Sequence, residues 1–264
     1  MKYFFLLILF AAGTLCGSNL IVTSGHSCKS HLQGIAADET GIYWSFTQEL
    51  IKTDYQGRFL AKAPLFFHTG DICMVDGEIY TATDYRPQGD RPTQSAVCRY
   101  GKDLKLKQIY PIYPANIKIE GITFYKGKFY IGVGGNNPPH RKNDILVCDR
   151  EMKILKRITV DIGVDTRFGV QNLCVVNDMI CGGFYAKSDG VLFAPETLEI
   201  KGTFPLTPTE GIAKVPEKYA GNNDTWFLAH SVGKRGDYKG RVRVYKITNG
   251  KRTPVPVSSL KLPR

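Results

Sequence analysis

The sequence predicts an all-β fold, a five-bladed β-propeller built of four-stranded antiparallel blades. Three observations predict it. Five segments open alike, as HLQGIA at His31, HTGDIC at His68, KIEGIT at Lys118, GVQNLC at Gly169 and PTEGIA at Pro208. Each continues as a short apolar run, a tight turn and a second apolar run. Helical periodicity is nearly absent, so nothing but strands can bury these runs.

The hairpins come first in each unit. ICMVDGEIYTA, ITFYKGKFYIG and LCVVNDMICGG place Asp76-Gly77, Lys126-Gly127 and Asn177-Asp178 where two-residue turns belong. A third and a fourth strand follow, as in SAVCRYGKDLKLKQIY and DILVCDREMKILKRITV. Ile35, Ile72, Ile122, Leu173 and Ile212 form one aligned apolar column with a repeat of roughly 40–50 residues, a blade's length. The blades are expected near 31–64, 65–115, 116–165, 166–206 and 207–264. In the last, the fourth strand is expected either from 253–257 or from LIVTS at 20–24, and the second choice would close the ring.

The composition agrees. The chain has 264 residues, 43% of them hydrophobic and 22% charged, which excludes disordered, collagen-like and heptad-repeat chains. Residues 1–18 read MKYFFLLILFAAGTLCGS, with a positive Lys2, an apolar run and small residues after it. That is the pattern of a signal peptide, with 19–264 as one propeller domain. The expected localisation is secreted or periplasmic. The apolar run is too short to span a bilayer, and no later segment is long enough, so no membrane span is expected.

Six cysteines follow the leader: Cys28, Cys73, Cys98, Cys148, Cys174 and Cys181. None has CxxC spacing. Four read as small buried hydrophobes. With Asn177-Asp178 as the turn, Cys174 faces Cys181, either as a cross-strand disulfide or as two buried thiols.

A propeller gathers residues distant in sequence around one axis, and the segment starts should converge at the channel mouth. Two residues before the apolar column stand Gln33, Gly70, Glu120, Gln171 and Glu210. One before it stand Gly34, Asp71, Gly121, Asn172 and Gly211. Four before it stand His31, His68 and Lys118. Convergent polar groups in a cavity are the usual mark of a site, while hydrogen bonding between blades is the structural alternative. Asp71, Glu120, Glu210, His31, His68 and His230 are the candidate catalytic groups. Gln33, Lys118, Gln171 and Asn172 are the candidate binding groups on the strands. Long loops on the same face add Tyr85, Arg86, Asn136, His140 and Arg141. A divalent cation held by the mouth's oxygen and imidazole groups is a candidate cofactor.

The formal net charge is +11. No stacking-aromatic motif or recognition helix accompanies it, so nucleic acid is not the expected partner. An anionic oligosaccharide or another small ligand fits the charge, and the chain is expected to be a monomer. The site chemistry then suggests a carbohydrate-active hydrolase or lyase. Paired carboxylates would cleave a glycoside, or a His or Tyr would abstract a proton for elimination. A binding propeller without chemistry is the alternative.

The segment starts also resemble the five-bladed glutaminyl cyclotransferases, and the overall layout resembles secreted bacterial propellers of unassigned function. The cyclotransferases carry a TQGL element, a Y-x-S strand and an EGIT element. Here His31-Leu32-Gln33-Gly34-Ile35 precedes Tyr43-Trp44-Ser45, and Glu120-Gly121-Ile122-Thr123 matches EGIT, one blade later than in the family. The resemblance implies that Gln33 and Glu120 line a pocket and that a carboxylate shuttles protons during cyclisation.

Overall fold

Each short apolar run pairs with the next across a tight turn, and the chain does this five times. The computed structural model describes residues 20–22, 26–66, 68–85, 94–113, 117–134, 139–185, 187–221 and 224–263. The leader at 1–18 lies outside the described residues. After a short strand β1 (Leu20–Val22), blade one consists of β2 (Leu32–Asp38), β3 (Gly41–Phe46), β4 (Glu49–Thr53) and β5 (Phe59–Pro64). Blade two is β6 (His68–Val75), β7 (Glu78–Tyr85), β8 (Gln94–Tyr100) and β9 (Leu106–Pro111). Blade three is β10 (Lys118–Tyr125), β11 (Lys128–Gly134), β12 (His140–Cys148) and β13 (Ile154–Thr166). Blade four is β14 (Asn172–Val176), β15 (Met179–Gly183), β16 (Gly190–Phe193) and β17 (Ile200–Phe204). Blade five has β18 (Ile212–Lys214), β19 (Thr225–Lys234) and β20 (Asp237–Thr248), with a one-turn helix α1 (Glu217–Ala220) after β18. The last strand is β21 (Lys251–Pro254). The structure is thus a five-bladed antiparallel propeller.

The inner turns are those the sequence marks. Asp76 and Gly77 have φ of 50° and 78°, Lys126 and Gly127 of 45° and 80°, and Asn177 and Asp178 of 47° and 61°. Two successive positive φ values match the right-handed twist of the flanking strands. A second repeated turn was not read from the sequence. Leu104, Met152 and Leu198, between the third and fourth strands of blades two to four, have φ of 62°, 62° and 54° and bury their side chains. Burial of a large apolar group there offsets the steric penalty of a left-handed conformation.

Two segments share the outer edge of blade five. β1 pairs with β20 from Leu20↔Arg243 to Val22↔Arg241. β21 pairs with the same strand from Tyr245↔Pro254 to Thr248↔Lys251. The two origins considered for this strand are therefore both used, side by side along one edge. A chain lacking residues 20–22 should melt roughly 3–6 °C lower, since losing that pairing costs about 1–2 kcal/mol. A thermal melt of the truncated chain checks this, and an unchanged midpoint would mean β21 alone closes the ring.

The core is not one mass but five wedges between neighbouring blades. Successive strand residues point to opposite faces, so each blade supplies two of them. In blade one, Trp44 and Ile51 pack toward Phe227, Val242 and Val244 of blade five. The alternate residues Tyr43 and Leu50 pack toward Ile72, Ile79 and Cys98 of blade two. In blades one, three and five the innermost strands approach so closely that the position before the apolar column, a glycine, leaves no room for a side chain. A Cβ on Gly34 would lie 2.7 Å from Asp71 Cα, one on Gly121 3.1 Å from the Asn172 carbonyl carbon, and one on Gly211 2.6 Å from Ile35 N. Gly211 also has φ of 120°.

The six cysteines are free thiols, all buried except the half-buried Cys73. Cys174 stands opposite Cys181 as the hairpin predicts, and the pair is joined by a thiol hydrogen bond rather than a disulfide. No helix among the described residues is long and apolar enough to cross a membrane.

Candidate functional site at the channel mouth

The site is built by a defect repeated in three blades. Pairing of the two inner strands slips by one residue between Leu32 and Gly34, between Thr69 and Ile72, and between Ile119 and Ile122. Such β-bulges bend the strand and re-aim side chains. The residues in them are Gln33, Gly70 with Asp71, and Glu120 with Gly121. They are the residues that the sequence column singled out.

Glu120 and His68 form the centre. Glu120 is 7% exposed and its Oε2 lies 3.7 Å from His68 Nδ1. Neither atom has a hydrogen-bond partner. Asp84, opposite His68 across the β6–β7 hairpin, completes a cluster whose ligand atoms all lie within 4.8 Å of one another. Asp84 Oδ1 accepts from Ser95 Oγ at 2.7 Å and from Ile119 N at 3.4 Å. Burial, reinforced by the Asp84 charge and opposed by Lys118, pushes the Glu120 carboxyl up to about 8. Burial also pushes Asp84 up and His68 down. At neutral pH the centre therefore holds a protonated Glu120 beside a neutral imidazole.

Gln33 sets the tautomer of that imidazole. Its Nε2 lies 3.1 Å from His31 Nε2 and 3.3 Å from His68 Nε2. An amide nitrogen only donates, so both rings accept through Nε2 and carry their proton on Nδ1. His68 thus turns an N–H toward Glu120.

Two glycines make room for the Glu120 side chain. A Cβ on Gly134, in the same blade, would lie 2.6 Å from Glu120 Cγ. One on Gly70, in the neighbouring blade, would lie 2.5 Å from Glu120 O and 2.9 Å from its Cα. The first meets a movable side chain, the second meets backbone. Gly134→Ala should therefore displace Glu120 and lower activity with about 1 kcal/mol of destabilisation, whereas Gly70→Ala should destabilise by about 2–3 kcal/mol. Urea melts and turnover on the two variants distinguish them, and equal stabilities would contradict the packing.

The remaining candidates fall into three groups. Asp71, expected as an acid or base, is 1% exposed and committed to the ring. Its Oδ1 accepts from Ile72 N at 2.8 Å, and its Oδ2 accepts from Ile122 N at 3.3 Å and Leu173 N at 3.0 Å. It joins the inner strands of blades two, three and four. Burial holds its carboxyl well above the usual carboxylate range, and these N–H groups and the neighbouring Asn172 amide pull it only part of the way back. Asn172 is itself fully buried, and Gln171 Nε2 donates to Phe168 O at 2.5 Å.

On the blade-five side, Glu210 Oε2 accepts from Ser231 N at 2.9 Å and lies 4.0 Å from His230 Nδ1. Burial lowers His230 against the pull of Glu210. Lys118 begins β10 opposite Gly134, and its charge acts on Glu120, Asp84 and His68. The third group is peripheral. His140 and Arg141 are exposed on β12, and Arg141 Nε donates to Asp161 Oδ1 at 3.2 Å. Tyr85 ends β7 with its backbone opposite Gln94. Its side chain, Arg86 and Asn136 lie outside the described residues.

Two groups at the mouth were missed. Asp84 follows a run of small residues in TATD and has no counterpart in the other blades. Tyr185, at the end of GGFY, is half-exposed and packs edge-on against Phe168 with ring centroids 6.1 Å apart. Burial and the Glu210 and Glu120 carboxylates push its hydroxyl up to about 12. The charges of both Glu210 and Glu120 reach it.

Solved structures share this architecture. The chain is similar to the glutaminyl cyclase of Myxococcus xanthus, with a TM-score of 0.58 at 12% identity over 88% of this chain and 97% of that one. It is similar to a protein of unknown function from Bacteroides caccae, with a TM-score of 0.55 at 12% identity over 90% and 94%. A chain in a nidogen/laminin complex matches with a TM-score of 0.54 at 10% identity over 88% and 82%. At these identities the likeness is one of fold. No protein-family model and no curated protein sequence matches the chain.

Proposed function

We propose that the channel mouth is a general acid–base site and that its substrate is a small molecule or peptide end bearing an amine. The observation that carries this is Glu120, a buried carboxyl raised to about 8 with an unpartnered oxygen beside His68. A proton carrier works best when its pKa lies near that of the group it serves. An α-amino group titrates at about 7.7–8.0. Glu120 is matched to it, while an ordinary carboxylate is not.

Cyclisation of an N-terminal glutamine is the reaction that this pairing and the family resemblance favour. The α-amino nitrogen attacks the side-chain amide carbon and a C–N bond forms. The fraction of Glu120 that is ionised near its pKa of about 8 takes the amine proton. It then returns the proton to the departing nitrogen as the original C–N bond breaks and ammonia leaves. His68 Nδ1–H lies 3.7 Å from Glu120 Oε2 and would close to a hydrogen bond as the carboxyl ionises. Gln33 holds His68 in that tautomer. Tyr185 and Lys118 face the same mouth and supply contacts to the rest of the substrate.

The glycan reading needs two carboxylates flanking a scissile bond. Asp71 is occupied by backbone N–H groups, Asp84 and Glu120 crowd one side, and Glu210 is held by Ser231 N. The test is ammonia release from N-terminal glutamine peptides and, in parallel, cleavage of anionic oligosaccharides. Glu120-dependent ammonia release supports cyclisation. Glu120-dependent sugar cleavage with no ammonia release overturns it in favour of a glycan enzyme.

A second reading has a specific observation behind it. His68, Asp84 and Glu120 offer one imidazole and two carboxylates within 4.8 Å, with two unpartnered atoms facing each other. That donor set fits a divalent transition metal once the Gln33 amide is turned so that Oε1 accepts from His68 Nε2–H and Nδ1 is left free to ligate. A bound cation would supply Lewis-acid polarisation of the substrate's carbonyl. Metal content of Asp84→Asn against the parent chain separates the two readings.

A further inference from the structure

A second cluster lies where the chain passes from β1 into blade one, with Tyr238 between it and His31. His26, Cys28 and Glu49 bring one nitrogen, one sulfur and one carboxylate to within 4.8 Å of one another. His26 Nε2 is 3.6 Å from Glu49 Oε2. Two ligands each about 2.1 Å from a tetrahedral zinc lie about 3.4 Å apart, so this pair is near its bound spacing.

We propose that His26, Cys28 and Glu49 form a zinc site with its fourth position open to a cavity. Each ligand is held from outside the cluster. The His26 ring stacks on Phe59, with centroids 5.2 Å apart and planes 17° from parallel. Cys28 is fixed through its backbone, its N donating to Tyr238 O at 2.8 Å and its O accepting from Tyr238 N at 2.9 Å. Glu49 begins β4, paired with Phe46 and Pro64, and Lys62 Nζ lies 3.6 Å from its Oε1, leaving Oε2 toward His26. His26 Nε2 is buried with no hydrogen-bond partner, although the other two ligand atoms lie within 4.8 Å of it. A cavity of about 330 Å³ opens beside Cys28 and Glu49, lined also by Ser30, Phe46, Gln48 and Lys62.

The donor set selects the metal. Thiolate and imidazole with a single carboxylate suit zinc and disfavour calcium and magnesium. Three protein ligands leave one position for water or a small anion from the cavity. Without metal, the Cys28 thiol donates to the Glu49 carboxylate. Zinc takes the place of that proton, which leaves to solvent. The site would pin the residues after β1 to both β20 and β4, reinforcing the ring where its two ends meet.

The test is titration of the chelator-stripped full chain with Zn²⁺ by calorimetry, followed by Co²⁺ for its absorption spectrum. The expected result is a saturable equivalent that survives Glu120→Gln and disappears in Cys28→Ser. The Co²⁺ form should show a thiolate charge-transfer band that Cys28→Ser abolishes. His26→Gln, with the metal-free melting temperature as a folding control, guards against a misfolded serine variant. No saturable zinc, or an equivalent lost with Glu120→Gln and kept in both Cys28→Ser and His26→Gln, overturns the proposal.

Discussion

Replacing Glu120 by Gln is expected to abolish turnover and, at the same time, to stabilise the fold at neutral and alkaline pH. The activity should fall about 10²–10⁴-fold, the usual contribution of a positioned acid–base group. The stability effect follows from linkage. Glu120 titrates at about 8 in the folded chain, against an ordinary value of 4.5. Between those values the folded state binds a proton that the unfolded state has lost. Stability therefore falls as pH rises from about 4.5 to about 8, by up to about 1.4 kcal/mol per unit. Gln cannot ionise and removes that slope. Melts of the parent and the variant across this range should diverge steadily, the parent lower at high pH. Parallel curves would mean that Glu120 titrates normally and is not the proton carrier.

Asp71 should behave in the opposite way. Asp71→Ala leaves the N–H groups of Ile72, Ile122 and Leu173 without their acceptor, in a place with 1% exposure. Each buried donor left unmade costs about 1–3 kcal/mol, so the loss should reach about 3–5 kcal/mol in total. That corresponds to a fall of roughly 10 °C or more in melting temperature. Asp71→Asn should be milder, because one oxygen remains, yet still destabilising, because its NH₂ meets N–H donors. Denaturant melts of both variants provide the check. A wild-type midpoint for Asp71→Ala would show that the carboxylate does not tie the three blades together. The two acidic residues stand in equivalent bulges, one bound to the ring and the other facing the mouth.

The architecture was legible because it is written five times. The phased starts, the turn pairs at Asp76-Gly77, Lys126-Gly127 and Asn177-Asp178, and the apolar column each carry a local physical requirement that any blade must meet. The apolar left-handed turns at Leu104, Met152 and Leu198 were not legible, because no glycine or asparagine marks them. Nor were the bulges. Counting back from Asp76-Gly77 pairs Asp84 with Thr69, on the wrong face. The one-residue slip between Thr69 and Ile72 moves Asp84 opposite His68 instead. The same slip separates Asp71 from Glu120. Both are acidic and both precede the apolar column, but they sit one position apart in the bulge and point to different surroundings. Tyr185 was missed for another reason, since one aromatic after a buried strand resembles a core residue.

The edge of blade five has a further meaning. Along β20, β21 runs from Lys251 opposite Thr248 to Pro254 opposite Tyr245, and Val255 N then reaches Val244 O at 2.9 Å. β1 takes over at Leu20 opposite Arg243 and continues in the same direction to Val22. The two segments read as one strand with a gap in the covalent chain between Val255 and Leu20. In its hydrogen bonding the molecule is close to a circle, opened at one point. The position of that opening is a property of the gene more than of the fold. Joining the two segments and cutting a surface turn elsewhere would leave every blade with the neighbours it has now.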